Sequence, residues 1–250
     1  MSNVNGESPL KFPKRFAPSA FFFGGALTRC FVFLLGLLVA ARPAASAQGR
    51  FYGGVLAGVS TISGDASSRI QPPNSSASSL YDPKNGLTFS AMVGRDVSEY
   101  VSVQANYLWN GNRLKFDSSS TTNGTLTAYE ETRSSSQQRV LADVMVYFRV
   151  RGSRFRPYLG VGTGWVHFRS DQEQVMQSVG MPALPPRTFS SDMVALHTPV
   201  GLDVKLGSGW KFRYAFSETL TRNPISERLS PPGSHRLMSF ESLFGIVRQF

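Results

Sequence analysis

Eight segments alternating apolar and polar residues, connections that are alternately long and short, and an N-terminal export signal together predict an all-β fold. That fold is an eight-stranded antiparallel up-and-down transmembrane β-barrel. The bulk composition bounds it from outside. The 250 residues allow one or two domains, and charged residues make up only 17% while Gly (23) and Phe (19) are plentiful. A disordered basic tail would be charge-rich and aromatic-poor. A mean hydropathy of −0.13 argues against a bundle of membrane helices. The one cysteine excludes a disulfide framework and a Cys-based zinc site.

The first 47 residues read as an export signal. Lys11, Lys14, Arg15 and Arg29 precede a twelve-residue apolar run from Cys30 to Ala41. That run is too short to span about 30 Å of hydrocarbon as a helix. Pro43 leads into Ala45-Ser46-Ala47, the small-x-small pattern of a signal-peptidase site, so cleavage is expected before Gln48. The alternative is an uncleaved anchor from Phe16 to Ala41, which Arg29 interrupts. Arg29 also sits directly before Cys30, which does not suit lipid modification of that cysteine. The signal is thus 1–47 and the barrel 48–250. The formal charge of +10 falls with cleavage, because the signal holds five of the basic residues and one acid, leaving +6. A mildly basic, exported domain gives no reason to expect nucleic acid.

The segments follow in chain order. Weak copies of the period occupy 51–60 and 87–94. Val101, Val103, Ala105, Tyr107 and Trp109 then alternate with Ser102, Gln104, Asn106 and Leu108. Val140 to Phe148 alternate with Arg139, Leu141, Asp143, Met145 and Tyr147. Leu159, Val161 and Trp165 alternate with Tyr158, Gly160, Gly162 and Gly164. Val194, Leu196, Val200, Leu202 and Val204 alternate with Met193, Ala195, His197, Gly201 and Asp203. Trp210, Phe212, Tyr214 and Phe216 alternate with Lys211, Arg213, Ala215 and Ser217. Phe240, Phe244, Ile246 and Phe250 alternate with Glu241, Leu243, Gly245 and Gln249. A strand sends the two sets to opposite faces. Long connections are expected at 61–85, 111–137, 170–190 and 222–235, and short ones at 95–99, 151–154 and 207–209. A soluble sandwich also has period-two strands. Here, however, the non-aromatic face is crowded with glycine and alanine, which suits a barrel interior better than a solvated surface.

The last segment, Ser239 to Phe250, ends on an aromatic residue. Together with the segment from Arg156 to Gly164, it resembles the small eight-stranded outer-membrane barrels of the OmpA, OmpX and OmpW type. The likeness covers the whole mature chain as architecture and these two segments as sequence. It implies an outer-membrane location with long loops outside and both chain ends in the periplasm. It also implies a C-terminal strand read by the outer-membrane assembly machinery. Gly245 and Phe250 match that signal; Leu243 and Arg248 depart from it. Outer-membrane lipids and lipopolysaccharide are the expected surroundings, and a monomer the expected state.

An eight-stranded barrel is just filled by its own side chains, so its interior charges must be paired. The turn Gly207-Ser208-Gly209 is expected to be a three-residue hairpin loop that sets Leu206 opposite Trp210. Asp203 then faces Arg213 inside the barrel as a buried ion pair, and Lys205 faces Lys211. Such a lysine pair belongs at a wet mouth or beside a shared acid. His197, Ser217 and Glu218 lie near one level on adjacent strands, but Ser217 and His197 point inward and no lipase-like motif surrounds them. No enzyme activity, cofactor or metal is expected. Pro199 lacks a ladder donor, so a bulge or widening is expected there. Gly160-x-Gly162-x-Gly164 lies inside a strand and is no phosphate loop. Asn74 and Asn123 begin glycosylation-like triplets that read as polar loop. Ser/Thr/Asn-rich stretches such as 118–124 read as solvated, mobile loop. The expected role is structural or surface interaction. The alternatives are a narrow conduit for small hydrophobic molecules and, more distantly, a lipid-modifying enzyme.

Overall fold

The computed structural model describes residues 50–63, 68–70, 75–122, 124–180, 186–224 and 236–250. The export signal with Ala45 and Ala47, Cys30, Asn74 and Asn123 lie outside the described residues. Ten strands are present among the described residues. They are β1 Phe51–Ser63, β2 Ser68–Ile70, β3 Ser75–Pro83, β4 Gly86–Asp96, β5 Val101–Thr122, β6 Thr125–Tyr147, β7 Phe155–Val179, β8 Thr188–Gly207, β9 Trp210–Arg222 and β10 Arg236–Gln249. Eight of them form a closed antiparallel ring. From β4 to β10 each pairs with the next, and β1 joins β4 to β10. The short β2–β3 hairpin stands outside the ring, with β3 paired to the far half of β5.

Alternation is what sends the two residue sets to opposite walls. Val55, Phe89, Val144, Val161, Leu196, Phe216 and Phe244 face outward and are exposed. An apolar belt of this extent would be a liability in water, whereas in lipid it is the wall the solvent requires. Aromatic pairs pack along this belt: Trp109 stacks on Phe89 at 6.0 Å and Phe216 on Phe240 at 6.2 Å. The opposite set turns inward and is buried, including Leu56, Met92, Leu141, Met145 and Leu243.

Three details differ from the sequence expectation. The stretch 111–137 is not a loop. β5 and β6 stay paired through it to a turn at 123–124, from Val101↔Val146 to Thr122↔Thr125. Its serines and threonines are polar on both faces, so hydropathy alternation fades while strand pairing continues. Inward groups such as Leu114, Phe116, Tyr129 and Arg133 are buried there and hold the two walls together. Similarly, β7 runs to Val179 and β8 starts at Thr188, with two register shifts between β6 and β7.

The second difference is the turn after β8. It is a two-residue turn, with Ser208 at φ 47° and Gly209 at φ 81°. Gly207, not Leu206, stands opposite Trp210, and a bulge between Lys205 and Gly207 takes up the extra residue. Two positive-φ residues match the strands' twist, and the bulge restores Lys205↔Lys211 and Asp203↔Arg213.

The third concerns Pro199. The β7–β8 ladder is interrupted between Leu159↔Val200 and Gly162↔His197, but the register is the same on both sides. The site is therefore a local widening without a bulge, since proline offers no N–H to the ladder. Its buried ring is accommodated by Gly160, where an added Cβ would lie 2.8 Å from Pro199 Cγ and 2.6 Å from Met145 Sδ.

Substituting Gly160→Val is expected to destabilise the barrel by about 1–3 kcal/mol through overpacking. The urea midpoint of the folded protein in detergent micelles reads this. A midpoint equal to that of the parent would contradict the close approach.

Candidate functional site

The lumen is occupied by charged side chains in successive layers. Toward the short turns, Asp203 and Arg213 meet on adjacent strands in a two-pronged pair, Nε–Oδ1 2.6 Å and Nη2–Oδ2 2.8 Å. Both are about 1% exposed, so the pair is shut off from bulk water. Arg213 also reaches across the ring. It donates to Gln104 Oε1 at 2.7 Å and to Tyr147 Oη at 3.1 Å, and lies 5.0 Å from the Tyr158 ring. A charge so deeply buried is tolerable because each face of the guanidinium has a partner.

The next layer joins His197 Nδ1 to Asp143 Oδ1 at 2.8 Å, and Asn106 donates to the other carboxylate oxygen. Gln104 Nε2 donates to Asn106 Oδ1 at 2.6 Å, which links this layer to the first. A cavity of about 30 Å³ lies between them, lined by residues that include Gln104, His197, Pro199 and Ser217. That is room for about two water molecules.

A third layer crosses the barrel. Arg139 of β6 pairs with Glu241 of β10 and donates to Thr219 Oγ1 at 3.0 Å and Gln137 Oε1 at 2.7 Å. Ser217 donates to Glu241 Oε2 at 3.0 Å. Among the described residues no hydrogen bond joins Ser217 to His197, and each is held by a different carboxylate.

Beyond the aromatic belt, the long strands carry their own cluster. Arg133 bonds Glu131 at 2.7 Å, Ser170 Oγ at 2.9 Å and the Pro186 carbonyl at 3.0 Å. Tyr129 donates to Glu131 Oε2 at 2.7 Å. Burial pushes the Tyr129 phenol well above its ordinary value, and the neighbouring Glu131 adds to the shift. The phenol therefore remains a donor. On the outer surface of the same walls, Arg169 and then Thr188 hydrogen-bond Asp171 and hold its carboxyl below the usual range. What Asp171 contributes to local order is therefore present at neutral pH and is lost only as pH falls through that lowered value. His167 faces outward too, 2.8 Å from Asp192 and stacked on Trp165.

At the opposite mouth, Asp96 lies 3.1 Å from Arg151 and 3.5 Å from Arg156. Lys205 stands across from Lys211 there; Lys205 is exposed and Lys211 buried. Gly245 stands between Leu56 and Arg213 in the ladder, and exposed Phe250 donates its backbone N–H to the Phe51 carbonyl at 2.8 Å. The Asp203–Arg213 pairing follows from one tight turn. The Arg139–Glu241 and Asp143–His197 pairs were missed by sequence reasoning, although parity already turns all four residues inward. Their strands are not neighbours in the ring, so no turn fixes their relative heights.

Residues 31–229 match the family described as outer membrane protein beta-barrel domain. No curated protein matches the chain. Among solved structures, Neisserial surface protein A is similar at 13% identity, covering 80% of this chain and 97% of that one, with a TM-score of 0.45. The outer membrane protein OprG from Pseudomonas aeruginosa is similar at 12% identity over 81% of this chain and 96% of its own, with a TM-score of 0.45. Ail of Yersinia pestis is similar at 9% identity over 82% and 100%, with a TM-score of 0.43.

Removing one partner of the buried Asp203–Arg213 pair should cost far more than removing both. Asp203→Ala is expected to lower unfolding stability by about 3–5 kcal/mol, and Asp203→Leu combined with Arg213→Met by less. Urea titration of the three proteins would show it. Equal losses for single and double variants would contradict the isolated-charge argument.

Proposed function

Because the chain belongs to the outer membrane protein beta-barrel domain family, we propose that it is a closed, structural outer-membrane barrel that carries a rigid β-platform on the cell surface. The observation that carries this reading is a lumen crossed by side-chain bonds. Arg213 bridges from β9 to Gln104 on β5, and Arg139 bridges from β6 to Glu241 on β10. A path for solute would have to break both bridges. The 30 Å³ cavity between them is far smaller than a ligand pocket of about 300 Å³ or more.

The platform follows from strand length. A membrane strand needs about 9–11 residues, whereas β5 has 22, β6 has 23 and β7 has 25. The excess emerges on the side of the long connections, which in this family is the exterior. There Lys115–Glu130, Arg169–Asp171 and His167–Asp192 form a surface of paired charges. Such a surface is suited to polar contacts with lipopolysaccharide sugars and phosphates or with a second cell. The assembly machinery would read β10 through Gly245 and Phe250 before the β1–β10 seam closes.

A conduit for small hydrophobic molecules is the second reading, and the widened ladder beside Pro199 is the observation that favours it. Proteoliposomes separate the two. Closed-barrel function predicts no ion conductance in planar bilayers and no swelling with small sugars or release of a hydrophobic dye. Steady single-channel conductance or saturable dye release by the parent protein would overturn the structural reading.

A further inference from the structure

The lumen and the platform leave one feature unused, the outer face of the rim at the short turns. We propose that this face binds anionic phospholipid headgroups of the inner leaflet, in a site centred on Arg95 and Arg248. The site is continuous across four adjacent strands. Trp210 of β9 stands opposite Arg248 of β10, Arg248 opposite Gly53 of β1, and Phe51 of β1 opposite Arg95 of β4. The Phe250 N–H on the Phe51 carbonyl ties the lower edge together. The Arg248 guanidinium lies 5.3 Å from the Trp210 ring and 5.5 Å from Phe250, and that of Arg95 lies 5.3 Å from Phe51. Two cations are thus held on aromatic faces at the height where acyl chains give way to phosphate.

Gly53 gives this patch its shape. It faces outward between the two arginines, and an added Cβ would meet only ordinary contacts, the nearest being Met92 O at 3.5 Å and Phe250 at 3.9 Å. The backbone therefore does not demand glycine, and the missing side chain leaves the strand bare between the two guanidinium groups, where an acyl chain would lie.

Charge selects the headgroup. Arg50, Arg149, Arg154 and Lys205 are exposed at the same rim, and the acids there are Glu99, shared with Arg151 at 3.8 Å, and buried Asp96, held between Arg151 at 3.1 Å and Arg156 at 3.5 Å. At the exterior, Arg113, Lys115 and Arg169 each face an acid. A phosphate meets the two arginines in any phospholipid, but a zwitterionic headgroup also brings an ammonium into this excess of cations. A net-negative headgroup does not.

The barrel, recovered from outer membranes, is exchanged into detergent with equimolar phosphatidylglycerol and phosphatidylethanolamine, and retained lipids are counted by native mass spectrometry. The parent is expected to retain phosphatidylglycerol in preference, by about fivefold for each engaged cation. Arg95→Gln with Arg248→Gln should bring the two lipids to near parity. Gly53→Leu should lower total lipid retention with every charge intact, and Arg113→Gln should change nothing. A heat-dependent gel shift checks folding, and Gly53→Leu carries the test if the double variant fails to fold. Equal retention of both lipids by the parent overturns the proposal. So does a preference untouched by the double arginine variant, or one lost equally in Arg113→Gln.

Discussion

Inside hydrocarbon no water is available to hydrogen-bond a backbone amide, so every strand needs a neighbour on both sides. This chain meets the constraint by pairing β1 with β10, from Tyr52↔Gln249 to Ser63↔Met238. Everything else depends on that seam. It fixes the number of ring strands at eight, and eight strands leave an interior only wide enough for side chains. It also brings both described ends of the ring to the side of the short turns, where the rim cations and the aromatic residues gather. The apolar outer wall is the second consequence: with the backbone satisfied, the side chains alone meet lipid.

The narrow interior then dictates its own chemistry. Parity places Asp203, Arg213, Asp143, His197, Arg139 and Glu241 inside, and none can reach bulk water there. Each is therefore matched, and the matches are not confined to neighbouring strands. Gln104 and Asn106 join the first and second layers, while Ser217, Thr219 and Gln137 surround the third. A polar network of this kind is favourable only when nearly complete. A filled lumen and a paired lumen are thus one property. On the proposed reading, it accounts for a barrel that spans the membrane without offering a passage and whose function is carried by its two rims.

Much of this was legible in the residues. Period two located all eight ring strands, and connection lengths gave their order around the ring. The turn after β8 set Asp203 against Arg213 even though its type differs from expectation, because a two-residue turn with a bulge and a three-residue turn give the same register beyond Lys205. Two things were not legible. The extension of β5 through Ser118 and Thr122 lacks any hydropathy contrast, so polar strand and polar loop look alike until pairing is seen. The cross-ring pairs depend on the stagger of the whole ring, which no local turn encodes. Pro199 announced a disturbance, but only the ladder shows that it widens without a change of register.

On the proposed reading, bonds that cross the lumen close it, and the Arg139–Glu241 bridge between β6 and β10 is the plainest case. A double-mutant cycle with Arg139→Met, Glu241→Gln and the combined variant, read by urea unfolding in lipid vesicles, measures their coupling directly. A coupling of about 1.5 kcal/mol or more is expected, as charge pairs removed from water give. A coupling near zero would mean that the two side chains do not meet, and that the lumen is open where the structure closes it.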